Sequence, residues 1–175
     1  EALIRWQHPE RGLLAPGEFL GYLEGHQLSV DIGEWVIETA LQQHESWLSA
    51  GLHIPVSVNI GALQLQMPDF AVRLSVILQR HPQVNPKNLQ LEILETSALQ
   101  DMQLAITTIN ACKALGVDFA LDDFGTGYSS LTYLRQLPVA VLKIDQSFVR
   151  NVLENSEDQA ILRGVISLAA AFGRG

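Results

Sequence analysis

Cysteine is almost missing from this chain. Cys112 stands alone among 175 residues, so no disulfide can form within it, and a reducing, cytoplasmic setting is expected. Its helical spacing from Ile109 and Leu115 marks it as helix core. Long apolar runs are missing too. The stretch from Val165 to Phe172 falls well short of the roughly 18 residues a membrane helix needs, and no signal peptide is evident. Basic charge is scarce: the net charge is −8, which argues against a DNA-binding scaffold. An acidic chain can still hold a phosphate ester if metal ions supply the positive charge. No Gly-Lys-Ser/Thr follows the glycines at 125 and 127, so there is no P-loop. Short repeats and low-complexity linkers are also absent, and residues 1–175 read as one domain.

What is present is a globular composition, 47% hydrophobic against 17% charged, enough for a packed core. Short β-branched runs alternate with longer segments of helical period. The opening residues 1–6 read as the end of a strand, and Pro16 as the first turn of a helix through Phe19, Leu20 and Leu23. A long helix is expected from Val30 to Ala50, with Gly51 as its stop. Strands follow at 54–60, 89–94, 118–122 and 139–144, and helices at 69–80, 102–115, 130–136 and 158–172. The alternation implies a parallel sheet covered by helices. An open doubly wound sheet and a (β/α)8 barrel share this pattern, and periodicity does not separate them.

Strands buried on both faces should be almost wholly apolar, yet four of these carry a polar residue near the C-terminal end. Asn59 opposes Val56, Val58 and Ile60 in parity; Glu92 opposes Leu89, Leu91 and Ile93; Asp122 opposes Phe119 and Leu121; Lys143 opposes Leu142 and Ile144. Asp123 follows Asp122 directly. Parallel α/β proteins bind ligands at that end of the sheet, so these five side chains could converge there. Singly, a strand-end Asn or Asp is usually a turn or cap residue, and a lysine usually snorkels. Four coincidences on successive strands weigh against that. Carboxylate and amide oxygens are hard ligands suited to Mg²⁺ or Mn²⁺, and none of the five histidines falls in a predicted strand, which disfavours a zinc hydrolase. Adjacent Asp122 and Asp123 could bridge two cations for phosphoryl transfer, with Lys143 holding a water or offsetting negative charge.

These residues resemble the EAL family of cyclic di-GMP phosphodiesterases. Glu1-Ala2-Leu3, followed by Ile4-Arg5-Trp6 and His8-Pro9, matches its opening motif. Ser57-Val58-Asn59, Leu91-Glu92-Ile93-Leu94-Glu95-Thr96, residues 122–130 and Leu142-Lys143-Ile144-Asp145 match the rest in order, so the resemblance covers essentially the whole chain. It implies a modified (β/α)8 TIM-like barrel with one early strand antiparallel. It also implies two Mg²⁺ or Mn²⁺ ions: Glu1, Asn59, Glu92 and Asp122 on the first, Asp122 and Asp123 on the second. Lys143, Asp123 and Glu1 would form the catalytic set, with Lys143 on the catalytic water. Leu3 and Arg5 would lie along the substrate, Arg5 near a phosphate. Glu95 would tether the glycine loop after Asp123, a switch coupling dimerisation to metal binding. The reaction would convert cyclic di-GMP to linear pGpG, and the expected assembly is a homodimer with sensory or GGDEF domains fused in the parent.

The departures lie at the ends. Residue 1 is Glu, and the chain stops at Phe172-Gly173-Arg174-Gly175, where a helix should hand over to another element. The expectation is a partial domain without the family's first strand and last strands, including a glutamate of an E-G-V-E motif, so that this piece alone is not expected to be active. A membrane anchor in the parent would lie outside it. Two other readings compete: a cyclic di-GMP receptor that binds without hydrolysis, and an enolase-like barrel lyase, against which the Asp-Asp-Phe-Gly-Thr-Gly-Tyr loop argues.

Overall fold

The computed structural model describes residues 1–125 and 131–175, the side chain of Thr132 excepted. Four parallel strands form the main sheet: β3 (Val56–Asn59), β4 (Leu89–Leu94), β5 (Asp118–Phe124) and β6 (Val141–Ile144). They lie side by side in chain order, β3-β4-β5-β6. A barrel winds in one direction, as this sheet does, whereas a doubly wound sheet reverses its strand order at a switch point. The sheet is the incomplete barrel of the expectation. No strand among the four is antiparallel; the antiparallel pairing among the described residues is the hairpin of β1 (Trp6–His8) and β2 (Gly12–Leu14).

Both ends of the chain add to this sheet. Ala2 pairs in parallel with Val58, its amide donating to the Ser57 carbonyl at 2.8 Å. At the other edge Gly175 donates to the Ala140 carbonyl and accepts from the Leu142 amide. The opening segment is thus a strand only at Ala2. Beyond it the chain leaves the ladder and re-forms strand structure at Trp6, where a turn closed on the His8 ring, whose Nδ1 accepts from the Glu10 and Arg11 amides, makes the hairpin.

Helices cover the face that the alternating apolar residues define. Leu89, Leu91 and Ile93 of β4 and Phe119 and Leu121 of β5 are all fully buried. They pack with α1 (Gln27–Ser49), α3 (Phe70–Arg80) and α5 (Met102–Ala114) into one core. On α1 the buried positions Val30, Gly33, Ile37, Ala40, Leu41 and His44 follow the helical spacing expected of a core-facing stripe. That helix starts three residues before the expected Val30 because the His26 ring accepts the Leu28 amide and caps it. Cys112 is fully buried in α5, and burial pushes its thiol up to about 12.

Other boundaries moved for local reasons. The expected helix at Pro16 is two 3-10 turns, Pro16–Glu18 and Leu20–Leu23. The last helix, α8 (Ser156–Ala171), starts earlier than expected because Asn155 accepts the Glu157 and Asp158 amides. Three short helices had no periodic signal: α2 (Ala62–Leu65), α4 (Glu95–Gln100) and α7 (Gln146–Arg150). Each spans too few residues to display a period. The helix expected at 130–136 is α6 (Leu131–Gln136). No helix among the described residues is long and apolar enough to cross a membrane.

Candidate functional site

Register brings the polar residues together. Asn59 of β3 pairs directly with Glu92 of β4, and Leu94 of β4 pairs with Asp122 of β5. Between β5 and β6 the ladder is irregular: Leu121 pairs with Leu142 and Phe124 with Ile144. Two aspartates, Asp122 and Asp123, therefore stand opposite the single residue Lys143, the count that defines a bulge. Asp123 takes φ 54°, a left-handed conformation that aspartate tolerates better than most residues.

At this mouth the Lys143 ammonium is the hub. Its Nζ lies 2.6 Å from Glu92 Oε2, 3.1 Å from Glu1 Oε2 and 3.7 Å from Asp122 Oδ2. Glu1 Oε1 accepts from Asn59 Nδ2 at 2.8 Å. Ala2, docked on β3, is what holds Glu1 there. Glu92 is only 1% exposed, so Lys143 rather than water faces its carboxylate. Burial works against the charge on Lys143, but its hydrogen bonds to Glu92 and Glu1 and the nearby Asp122 outweigh that and hold it above its usual range. Glu1 is shifted the other way: burial opposes its ionisation, and the bonds from Asn59 and Lys143 prevail and lower it.

Asp123 turns toward a different neighbour. Burial, then the charges of Asp122 and Asp145 and a hydrogen bond shared with Asp145, raise its carboxyl above the ordinary range. Asp145 is lowered, chiefly by hydrogen bonds from Ser147, whose amide it caps at 2.8 Å at the start of α7. Glu95, 2% exposed at the head of α4, accepts the Gly125 amide through Oε2 at 3.2 Å. Gly125 has φ 101°, and a Cβ there would lie 2.9 Å from the Phe148 ring, so both conformation and space demand glycine. The remainder of the expected switch loop, 126–130, lies outside the described residues.

Beside the carboxylates opens a cleft of about 660 Å³. Leu3 and Ile4, Leu20 and Leu23, Ile32 and Val36 of α1, and Leu94 give it apolar walls, and Asn59 marks where it meets the carboxylates. Leu3 is half exposed on it. Arg5 is not among its lining residues; its guanidinium donates to the neighbouring Ile4 carbonyl at 2.9 Å.

Of the expected residues, Glu1, Asn59, Glu92, Asp122 and Lys143 form one network, Asp123 and Glu95 flank it, Leu3 lines the cleft and Arg5 does not. Two participants had been given no role from the sequence, Asp145 and Phe148. The signal for Asp145 was legible: Asp-Gln-Ser before apolar Phe148 and Val149 is a helix-capping pattern directly after the lysine strand. Phe148 left no such trace, because its partner is a backbone position.

The donor set is all oxygen: three carboxylates and an amide. Three carboxylates against one ammonium leave two negative charges at the mouth, and hard oxygen donors with surplus charge fit a hard divalent cation. Among the described residues, no three histidine, cysteine or acidic side chains already stand as a cage for an ion, since the carboxylates close on Lys143 instead.

The fold and the site together define a one-way-wound parallel α/β domain with an acidic, lysine-centred mouth beside an apolar cleft. Comparison with known proteins says which. The family model for the EAL domain matches residues 1–175, and the chain belongs to that family. It is 41% identical over 170 residues to the bifunctional diguanylate cyclase/cyclic di-GMP phosphodiesterase MucR of Pseudomonas aeruginosa, a match covering 96% of this chain and 24% of that protein. It is 38% identical over 173 residues to the cyclic di-GMP phosphodiesterase PdeR of Escherichia coli, covering 98% of this chain and 26% of that protein. The chain thus spans about a quarter of the length of these curated relatives. Among solved structures, the MucR phosphodiesterase in complex with c-di-GMP aligns with a TM-score of 0.91 at 39% identity, covering 99% of this chain and 70% of that one. The FimX EAL domain of P. aeruginosa bound to c-di-GMP aligns with a TM-score of 0.86 at 27% identity, covering 98% of this chain and 68% of that one.

Proposed function

We propose that this chain is the greater part of a phosphodiesterase domain that hydrolyses one phosphodiester bond of cyclic di-GMP, giving linear pGpG, with Mg²⁺ or Mn²⁺ at its mouth. The observation that carries the reading is the convergence of Glu1, Glu92 and Asp122 on Lys143, next to a cleft large enough to take part of a dinucleotide. The names of the relatives above supply the substrate.

Glu1, Asn59, Glu92 and Asp122 would hold one ion, and Asp122 with Asp123 a second. Bound there, the ions supply Lewis acidity and positive charge against the phosphate. The chain's own residues do the rest. Lys143, held charged, places a donor where a water can be oriented and negative charge offset. Water adds to phosphorus, the bond to one ribose oxygen breaks, and the ring opens with the new phosphate left on the other nucleoside. Leu3 meets the ligand from the cleft wall; Arg5 reaches a phosphate by releasing the Ile4 carbonyl. Glu95 fixes the end of β5, so that Asp122 and Asp123 keep their place. In the intact parent we expect a homodimer and further signalling domains.

The test is turnover of cyclic di-GMP with Mg²⁺ or Mn²⁺ by the completed domain, beside its Glu92→Ala variant, with product resolved by chromatography. The variant should lose activity on the order of a hundredfold or more. Equal product from both removes Glu92 from the site, and binding without turnover in either metal identifies a receptor instead.

A further inference from the structure

The cleft holds polar groups that the carboxylate site does not use. Gln66, which ends α2, lines it. Its Nε2 donates one long hydrogen bond, 3.3 Å to the Ser97 carbonyl, while its Oε1 is buried with no donor. A buried carbonyl oxygen left unpaired is costly and calls for an explanation. Two residues earlier, Gln64 is 1% exposed and both of its amide atoms are also without partners. It presses on Gly33 of α1, another cleft-lining residue, where a Cβ would lie 2.1 Å from Gln64 Oε1. A glycine inside a helix is destabilising, and here it is what admits Gln64 and seats α2 against α1. Gln66 is therefore held at the cleft by a fixed turn, with one long bond from Nε2 and its acceptor unspent.

We propose that Gln66 is a specificity-determining residue that accepts a hydrogen bond from the exocyclic N2 amine of a guanine lodged in this cleft. The inference rests on the cyclic di-GMP reading above. The terminal torsion of a glutamine is broad, so a modest rotation carries Oε1 to the cleft surface. That rotation gives up the long bond to Ser97, and the group it brings to the cleft, Oε1, is an acceptor, which suits a base edge rich in N–H groups. A site built to pair with a ligand N–H rejects the analogue lacking it.

The test compares kcat and KM for cyclic di-GMP and for cyclic di-IMP, which lacks the N2 amine, in the full-length parent protein as wild type, Gln66→Leu and Gln66→Glu. Gln66→Leu should raise KM for cyclic di-GMP about tenfold and leave kcat within about twofold. Its KM for cyclic di-IMP should match that of the wild type. Gln66→Glu, which keeps an acceptor, should lie nearer the wild type. An unchanged KM for cyclic di-GMP in Gln66→Leu overturns the proposal, and so does an equal penalty on both nucleotides, which would mark a merely structural role. A wild-type protein that neither binds nor hydrolyses cyclic di-GMP overturns the underlying reading as well.

Discussion

Two charged clusters in this molecule look alike on paper and differ in kind. Along the seam between α1 and α3, acids on one helix face bases on the other: Glu34 with Arg73, Glu38 with Arg80 at 3.3 Å, and His81 between Glu38 and Glu45 at 3.1 and 3.0 Å. Charge there is distributed in local pairs, and most of the side chains reach solvent. At the strand ends the charges are unbalanced and drawn to one point: three carboxylates share Lys143, and one of them, Glu92, has no access to water. A ladder of opposed pairs is a way to join two helices. An unbalanced cluster in a sheltered mouth has no such use, and its surplus negative charge is what a cationic partner would match.

The contrast can be broken by substitution. Lys143→Met should have the largest effect on stability, because it leaves Glu92 buried without its counter-charge. Removal of one partner from a buried pair costs about 3–5 kcal/mol, and with Lys143 itself 31% exposed the loss should be nearer 2–3 kcal/mol in urea denaturation. A loss under about 0.5 kcal/mol would show that Glu92 finds another partner and that the hub is dispensable. Gly125→Ala should follow at about 1–3 kcal/mol, from its left-handed backbone and the Phe148 ring that the new methyl would meet. If its thermal midpoint equals that of the wild type, the Glu95–Gly125–Phe148 arrangement is looser than described. Arg80→Ala on the seam should cost about 0.5 kcal/mol or less, diminish further in high salt, and leave turnover untouched. A large loss there would erase the distinction between the two clusters.

Much of this was legible in the sequence because strands alternate. Parity alone placed Asn59, Glu92, Asp122 and Lys143 on the non-helical face, and the ladder registers bring their strand ends into line. The order of strands was not legible, since both α/β architectures share one alternation. Nor was the bulge: strict alternation would send Asp123 to the opposite face from Asp122, and only the two-against-one pairing with Lys143 sets both beside it. Glu1 gave no local signal either. Nothing in its immediate neighbours shows that the chain's opening would dock on β3; the family resemblance pointed to it. The short helices α4 and α7, which carry Glu95 and follow Asp145, escaped because one turn and a half has no period to detect.

Glu1 and Lys143 touch although 142 positions separate them in the chain. The hub is therefore built from a contact between the two edges of the main sheet, and every strand between must be in register before it closes. Partial structures, whether emerging from the ribosome or opening transiently, cannot hold the charges together. A ligand that needed the whole hub would be bound only by molecules in which every strand has paired, so its occupancy would draw the population toward that state and act as a checkpoint on completeness.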